Sequence, residues 1–230
     1  MDINKDILYS YYRIRKIIGL LGLLLPILVF AFHGELLSSI SHYYYSKSAV
    51  FFIAILFAFG LFLISYKGYE KDNDTEILSD NLITNIGGIA ALLIVLLPTT
   101  CIGSNSAELT NMCQSQNYPL FGHDNAIIRI IHLLSAGVFL FIMGYMSIFR
   151  FTKGKLTDEK KIKNIIYQIC GIAVWISIGI LAVESILQNF HFTEYDVFIF
   201  ETVSVVAFGI AWLVKGEAIK DLIDLKNKIF

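Results

Sequence analysis

The sequence predicts an all-α, polytopic membrane protein with six transmembrane helices and both termini in the cytoplasm. Three observations predict this class. The chain of 230 residues is 56% hydrophobic and 16% charged, with a mean hydropathy of +0.67, a composition well outside that of an ordinary soluble domain. Its apolar residues are gathered into six runs. Its Lys and Arg residues are concentrated in alternate connections between those runs.

Each apolar run is close to the roughly 20 residues that a helix needs to cross about 30 Å of hydrocarbon. None of them alternates apolar and polar residues as a half-buried strand does, and backbone in lipid must satisfy its own hydrogen bonds. The runs therefore predict transmembrane helices. The six predicted spans are Ile17–Phe32, Ala49–Tyr66, Leu82–Pro98, Ala126–Phe149, Ile165–Leu187 and Val197–Val214.

The basic residues predict the orientation of these spans. Apart from Lys47 and Arg129, every Lys and Arg precedes span one, follows span two, separates spans four and five, or follows span six. Connections rich in Lys and Arg stay on the cytoplasmic side of a membrane. The sequence thus predicts a multi-pass protein of the cell (inner) membrane whose connections after spans one, three and five face outward.

We interpret residues 1–230 as a single transmembrane domain. It comprises an interfacial N-terminal segment (1–16), the six-helix bundle (17–214) and an amphipathic cytoplasmic tail (215–230). A basic segment before span one is also typical of a signal peptide, but no small-residue cleavage pattern follows Phe32, so this span is predicted to be retained. The basic stretch 153–164 is predicted to be a solvated connector.

The short cytoplasmic segments indicate which partners the chain has. They hold no recognisable nucleotide loop or nucleic-acid module, so the predicted partners are membrane lipids and not nucleic acid. Small residues in the spans favour close helix packing and are compatible with a homo-oligomer.

The cysteines agree with the predicted topology. Cys101 and Cys113 lie in one outward connection, where an oxidising compartment permits a disulfide. Closing so short a loop stabilises a fold by on the order of 3 kcal/mol in the chain-entropy model. We predict this disulfide over two free thiols, and we predict that Cys170 is a small core residue of span five.

The histidines all fall on the predicted outer side of the membrane. Imidazole is a common metal ligand and proton carrier near neutral pH, so their placement indicates that any chemistry lies at this face. They are His33, His42, His123, His132 and His191.

Ionisable residues inside the spans predict the site more closely, because each costs several kcal/mol in hydrocarbon unless it is paired or hydrated. Arg129 and His132 in span four, Glu184 in span five and Glu201 in span six all lie in the outer third of the predicted membrane. Arg129 and His132 are three residues apart and share a helix face, which would let them meet both glutamates. The alternative is a buried Arg–Glu pair that only orients helices.

A second polar concentration precedes span two, in residues 35–46. Ser38 and His42 are four residues apart and stack if the segment is helical. Tyr43, Tyr44 and Tyr45 are typical of an aromatic belt at the lipid interface. The alternative is that Ser41, His42 and one tyrosine, for which we select Tyr44, fold over the opening above His132 and Glu201.

These residues predict a site with three kinds of role. The catalytic candidates are His132, Glu201 and Glu184; the substrate-binding candidates are Arg129, Ser41 and Tyr44; and the candidate ligands of a divalent metal such as zinc are His132, His42 and Glu201. With a metal, the site would activate water; without one, His132 would act as a general base and Arg129 would hold a phosphate or carboxylate.

Three classes of function fit this chemistry. The first is a hydrolase or binder of a lipid or lipid-linked substrate at the outer face. The second is a proton- or cation-coupled transporter or channel, although few polar residues lie below the outer third of the spans and no internal repeat is visible. The third is an accessory or structural membrane protein in which the polar cluster only specifies helix contacts.

Two resemblances add to this interpretation. Arg-Lys-Ile-Ile-Gly-Leu-Leu-Gly from Arg15, Ser-Ile-Ser-His-Tyr-Tyr-Tyr from Ser39, Tyr-Lys-Gly-Tyr-Glu from Tyr66, and Glu201 followed by Phe-Gly-Ile-Ala-Trp-Leu-Val-Lys-Gly resemble a family of small six-span bacterial membrane proteins without an assigned activity. The resemblance covers nearly the whole chain and implies residence in a bacterial inner membrane.

The other resemblance is to the alkaline ceramidase and adiponectin-receptor superfamily of membrane hydrolases. Ser38 and His42 match the spacing of its early Ser-x-x-x-His motif, whereas span six lacks the His-x-x-x-His motif that completes the zinc site in that superfamily. The match implies zinc-dependent hydrolysis.

Overall fold

The computed structural model describes residues 3–68, 79–187 and 192–218, with side chains from residue 8 onward. These ranges contain helices and no strand. The helices are α1 (Ile3–His33), α2 (Ala49–Ser65), α3 (Asp80–Leu96), α4 (Ala107–Ser115), α5 (Ala126–Tyr145), α6 (Asp158–Ile186) and α7 (Asp196–Lys215). A 3₁₀ segment, Ile40–Tyr45, lies between α1 and α2, and α5 continues into a π-helical turn, Met146–Arg150.

The all-helical prediction is confirmed, and all six predicted apolar runs are helical. Four of the described helices are long and apolar enough to cross a membrane: Leu8–His33, Ala126–Arg150, Asp158–Ile186 and Asp196–Lys215. The other two apolar helices, α2 and α3, have 17 residues each.

Polar side chains set where several of these helices begin. Ser79 accepts a hydrogen bond from the backbone of Leu82 at the start of α3, and Thr157 accepts one from Lys160 at the start of α6. The side-chain oxygen of Asn125 accepts two such bonds at the start of α5. Each bond satisfies a backbone N–H group that the first turn leaves without a helical partner.

The six apolar helices form a closed ring. In order around the ring, α1 packs on α2, α2 on α3, α3 on α5, α5 on α6, α6 on α7, and α7 on α1. Gly19 in α1 faces Gly209 in α7 so closely that a Cβ atom on Gly19 would lie 2.7 Å from the Gly209 carbonyl oxygen. Gly60 in α2 and Gly88 in α3 form a similar contact, as expected where small residues let two helix backbones approach.

Aromatic side chains fill the centre of the ring. Phe59, Phe139, Phe208 and Trp212, here called the aromatic core, are each no more than 2% exposed. The Phe59 ring lies 4.9 Å from the Phe208 ring and 6.3 Å from the Phe139 ring, measured between centroids. The aromatic core joins α2, α5 and α7 across the ring and separates its two ends.

The two ends of the bundle differ in charge. The histidine end carries His33, His42, His123 and His132, whereas the lysine end carries Arg15, Arg150, Lys163 and Lys215. At the histidine end, the 3₁₀ segment packs on α1, α2 and α7. The 3₁₀ segment and the connection that contains α4 hold the polar residues of this end together.

Two details differ from the sequence prediction. The first is that residues 158–164, predicted as part of a solvated connector, form the first turns of α6. The predicted interfacial segment 1–16 is continuous with the predicted first span from Ile3 onward, as part of α1. The predicted tail 215–230 falls largely outside the described residues, which end at residue 218.

The second difference concerns the three tyrosines, which do not form an aromatic belt. Tyr43, Tyr44 and Tyr45 are at most 2% exposed. Their hydroxyl groups bond to neighbouring connections: Tyr43 donates to the Glu35 carbonyl at 2.9 Å, and Tyr45 donates to the Thr99 carbonyl at 2.5 Å. A buried Tyr hydroxyl needs such a partner, so the tyrosines fix the connections of the histidine end.

Candidate functional site

A polar cavity of about 960 Å³ opens at the histidine end. We call it the polar cavity. The residues predicted to form a site that line it are Ser41, His42, Arg129, His132 and Glu201. They come from the 3₁₀ segment, from α5 and from α7, so the ring and the connection between α1 and α2 together assemble most of the predicted site.

His132 and Ser41 form a hydrogen-bonded pair in the wall of the polar cavity. Nε2 of His132 lies 3.0 Å from Oγ of Ser41, and Nδ1 lies 3.0 Å from the carbonyl oxygen of Leu97. A carbonyl only accepts, so Nδ1 carries the hydrogen and Nε2 of the neutral ring accepts from the Ser41 hydroxyl. This is the arrangement in which a histidine can act as a general base towards a serine.

Glu201 holds the other side of the 3₁₀ segment. Its Oε2 atom accepts a hydrogen bond of 2.6 Å from the backbone of Ile40, and the Ser39 and Ser41 side chains lie near the same carboxylate. The Ser41 hydroxyl therefore lies between an imidazole and a carboxylate.

Ser38 and His42 form a second hydrogen-bonded pair, as their spacing predicted. Ser38 Oγ lies 3.0 Å from Nδ1 of His42. Burial lowers the pKa of His42 to about 4, an effect that a hydrogen bond to the Ile102 backbone opposes and that the nearby His132 and Arg129 reinforce. The imidazole of His42 is therefore neutral at physiological pH.

Arg129 supplies a positive charge to the polar cavity. Its side chain is exposed, and among the described residues it forms no ion pair. The predicted contact of Arg129 and His132 with both glutamates does not occur, because His132 is engaged by Ser41 and Leu97. The alternative, a buried pair between Arg129 and a glutamate, is also absent from the described part of the chain.

Two predicted site residues lie elsewhere. Glu184 does not line the polar cavity; it is 4% exposed and lies near Asp196 at the start of α7. Tyr44 is buried between α2 and the connection before α5, and its hydroxyl accepts a hydrogen bond from the backbone of Phe121. The other outward histidines also lie outside the lining: His33 packs edge-on against Tyr43, and His123 bonds to the Pro98 carbonyl.

His191 lies outside the described residues, so its position relative to the polar cavity is not described.

The donor set does not fit a metal centre. Within residues 3–68, 79–187 and 192–218, no three His, Cys, Asp or Glu side chains are placed to hold one ion. Nδ1 and Nε2 of His132 have partners, as do Nδ1 of His42 and Oε2 of Glu201. Metal-bound water needs about three converging protein ligands, and the described residues do not bring three together.

A disulfide closes the connection beside the polar cavity. Cys101 and Cys113 are bonded, with Cα atoms 5.9 Å apart, which confirms the predicted pair. Within the closed loop, the Asn105 amide accepts from the backbone of Ser38 at 2.9 Å and donates to the Leu36 carbonyl at 3.0 Å. The loop thereby anchors the chain that leads into the 3₁₀ segment, a role for Asn105 that no sequence pattern indicated.

Sequence reasoning also missed a polar layer at the lysine end. Asp80 at the start of α3 and Arg150 at the end of the π-helical turn form an ion pair and are 1% and 3% exposed. In the sequence, Arg150 was interpreted only as part of a basic connection, and Asp80 was not singled out. The lone acid at the start of an apolar run was the available signal, because an acid at a helix N-terminus is favourable but rarely buried without a partner.

The fold and the cavity together define an all-helical protein with four helices that could cross a membrane and a Ser–His pair in a cavity at one end of the bundle. Comparisons with protein-family models, with curated proteins and with solved structures find no match for this chain. The family resemblances therefore stay predictions, and the function is inferred from the geometry of the polar cavity.

Proposed function

We propose that this protein is a six-span membrane hydrolase that binds an anionic lipid or lipid-linked substrate in the polar cavity and cleaves an ester bond in it. Ser41 is the nucleophile and His132 is the general base. The observation that carries the proposal is the 3.0 Å hydrogen bond between Ser41 Oγ and His132 Nε2, with Nδ1 of the same ring bound to the Leu97 carbonyl.

The chemistry follows from this geometry. Ser41 Oγ attacks the carbonyl carbon of the ester while its proton passes to His132 Nε2, and the departing alkoxide takes that proton. Water then attacks the acyl-serine, again giving its proton to His132, and Ser41 is restored. The Leu97 carbonyl keeps the imidazole in the tautomer that this transfer requires, as the third member of a catalytic triad does.

Arg129 and the size of the polar cavity support an anionic amphiphile as the substrate. The described lining also holds three carboxylates, Glu194, Asp196 and Glu201, so anion binding falls to Arg129 alone among the described lining residues. Arg129 is exposed in the lining, and a guanidinium group binds phosphate or carboxylate through two parallel hydrogen bonds. The volume of about 960 Å³ lies near the upper end of the range for small-molecule sites, roughly 300–1,000 Å³. Leu133, Ala136 and Val197 supply an apolar wall for an acyl chain.

The membrane topology is part of the proposal. Helices α2 and α3, with 17 residues each, rise about 26 Å, close to the thickness of the hydrocarbon core, and they complete the ring with the four longer helices. The segregation of the basic residues at the lysine end supports a cytoplasmic lysine end and an outward histidine end. Placement in the inner membrane of a bacterium rests on the family resemblance alone. Reporter fusions after residue 218 and within α4 test this orientation: a cytoplasmic signal from both sites would contradict it.

The aromatic core favours a hydrolase over a transporter. It lies between the polar cavity and the lysine end, and among the described residues the polar cavity shares no lining residue with the cavity at that other end. Apolar rings packed between the two cavities do not favour a polar path from one to the other.

A fluorophosphonate probe tests the proposal, because it reacts with serines that an adjacent base activates. We expect mass spectrometry to find the modification on Ser41 in wild type, none in Ser41→Ala, and labelling slowed by about 10²- to 10⁴-fold in His132→Gln, the usual contribution of a general base. Ser38→Ala is the matched control, since Ser38 lines the same cavity but pairs with His42.

Equal labelling of wild type and Ser41→Ala would refute the serine nucleophile. Hydrolysis of ester lipids in mixed micelles then tests the substrate class. In Arg129→Gln we expect a higher KM for an anionic ester and an unchanged KM for a neutral one; no difference between the two esters would count against anion recognition by Arg129.

A further inference from the structure

A second cavity, at the lysine end, is strongly basic. We call it the basic cavity. It has a volume of about 470 Å³ and lies between the first half of α1, the residues that follow α2, the connection before α6, and the end of α7. Among the residues that the structure describes, its lining includes Arg15, six lysines and two carboxylates, Glu159 and Glu217.

The two carboxylates are both bound to one lysine. Lys163 Nζ lies 2.7 Å from Glu159, and it also forms an ion pair with Glu217. The described lining residues comprise seven basic and two acidic groups, a formal excess of five positive charges. Positive charges concentrated in a concave wall attract anions, because the low-dielectric protein focuses their field.

Arg15 is the buried anchor of the basic cavity. Its side chain is 8% exposed, and its guanidinium carbon lies 3.9 Å from the centre of the Tyr11 ring. The groups that accept its hydrogen bonds are neutral: the Lys215 carbonyl at 3.4 Å and the Tyr66 hydroxyl at 3.3 Å. Its Nε atom is buried and has no hydrogen-bond partner within the described chain.

Orientation in a membrane does not explain this arrangement. The preference for basic residues on one side of a membrane acts on charges near the ends of spans whether or not they are buried, so it does not require Arg15 to be buried. Burying a guanidinium group without a carboxylate costs several kcal/mol. A bound anion would offset that cost. A buried Arg next to a lysine-rich wall is the usual means of holding phosphate, since the planar guanidinium matches two phosphate oxygens.

We propose that the basic cavity binds a phosphate-bearing ligand, with Arg15 as the anchoring residue and with Lys67 and Lys155 in the surrounding wall. The volume of about 470 Å³ exceeds the space that one phosphate group fills, so the ligand carries more than a single inorganic phosphate. The proposal is independent of hydrolysis in the polar cavity.

Isothermal titration of the full chain in an uncharged detergent with inorganic pyrophosphate tests the proposal. We expect a single saturable site in wild type and affinity weakened by about tenfold or more in Arg15→Gln, since each 1.4 kcal/mol of lost binding is tenfold. Arg13→Gln is the matched control: Arg13 lies on the same helix and is exposed, but it does not line the cavity. We expect it to bind as wild type does.

A second variant distinguishes a loss of ligand binding from misfolding of Arg15→Gln. Lys67 is exposed and lines the cavity, and its backbone carbonyl, which Lys67→Gln retains, accepts the bond from Tyr11. Lys67→Gln should therefore fold and bind pyrophosphate more weakly than wild type. Equal weakening in Arg13→Gln, or full affinity in both lining variants, would overturn the proposal.

Two kinds of ligand carry such phosphate groups: a soluble phosphate ester and the headgroup of a phospholipid. The lipid arm uses native mass spectrometry after incubation with phosphatidylcholine vesicles that contain phosphatidic acid. Retention of phosphatidic acid by wild type and Arg13→Gln, its loss in Arg15→Gln, and its displacement by pyrophosphate would identify a headgroup site. Pyrophosphate binding without lipid retention would identify a soluble ligand, and absence of saturable binding in both arms would refute the site.

Discussion

The carboxylate of Glu201 in α7 accepts a 2.6 Å hydrogen bond from the backbone nitrogen of Ile40, the first residue of the 3₁₀ segment. The bond joins residues 161 positions apart. A second backbone bond, from Phe198 to the Ser38 carbonyl at 3.0 Å, ties the same two elements together. The position of Ser41 relative to His132 therefore depends on α7 as well as on α5.

Removal of the Glu201 carboxylate should destabilise the fold. In Glu201→Ala the Ile40 N–H group loses its partner, which costs about 1–3 kcal/mol in unfolding free energy. Glu201→Gln keeps a side-chain oxygen as acceptor and should lose less. Chemical unfolding in detergent measures both, with Glu194→Ala, an exposed residue at the rim of the same cavity, as the control. Equal stability of Glu201→Ala and wild type would show that water replaces the carboxylate.

The burial of His42 should make the stability of the protein depend on pH. Its pKa is lowered to about 4 from 6.5 in the folded state, chiefly by burial. A histidine with a depressed folded pKa is protonated more readily in the unfolded chain, so stability is full above pH 6.5 and is lost as the pH falls towards 4. The loss over that window is on the order of 3 kcal/mol.

Unfolding free energies measured between pH 4 and pH 7 test whether the imidazole of His42 causes this pH dependence. His42→Gln keeps a polar side chain that can bond to Ser38 but does not titrate. We expect its unfolding free energy to change less over the same range than that of wild type. An identical slope in the two proteins would show that other groups cause the acid sensitivity.

The Cys101–Cys113 disulfide should stabilise both the fold and the Ser41 site. In the Cys101→Ser/Cys113→Ser double variant, the unfolding free energy should fall by on the order of 3 kcal/mol in the chain-entropy model. Labelling of Ser41 by the fluorophosphonate should slow as well, because Asn105 in the closed loop anchors Ser38.

Thermal unfolding with and without a reductant measures the effect of the disulfide. Reductant should lower the Tm of wild type and leave the double variant unchanged. Cys170→Ala, in which the buried free cysteine is removed, should keep the response to reductant. A wild-type Tm that is insensitive to complete reduction would contradict a stabilising role.

The helices were predictable from the sequence, but the partners of the polar residues were only partly so. Hydropathy is a local property, so the apolar runs and the depth of His132 and Glu201 could be derived from short windows. The pairing of His132 with Ser41 depends on how the connection between α1 and α2 folds back onto α5, across 91 residues. Local periodicity does not encode such a contact.

The same limit explains why the burial of Arg15 at the lysine end could not be predicted. Lys and Arg in connections carry the topology signal whether they are exposed or buried, so the sequence does not distinguish Arg13, which is exposed, from Arg15, which is buried. The difference arises when the ring brings α1 against the end of α7 and the end of α2, near Lys215 and Tyr66.

The buried ion pair between Asp80 and Arg150 should contribute strongly to the stability of the lysine end. Asp80→Asn removes the carboxylate of this buried ion pair, which costs about 3–5 kcal/mol, whereas replacing both partners, as in Asp80→Asn/Arg150→Met, should recover much of that loss. The exposed pair of Asp158 and Lys161 is the control; Asp158→Asn should change the unfolding free energy by less than about 1 kcal/mol. Chemical unfolding of the four proteins provides the measurement. If Asp80→Asn were no more costly than Asp158→Asn, water would have to reach Arg150, and the lysine end would be far more hydrated than its packing indicates.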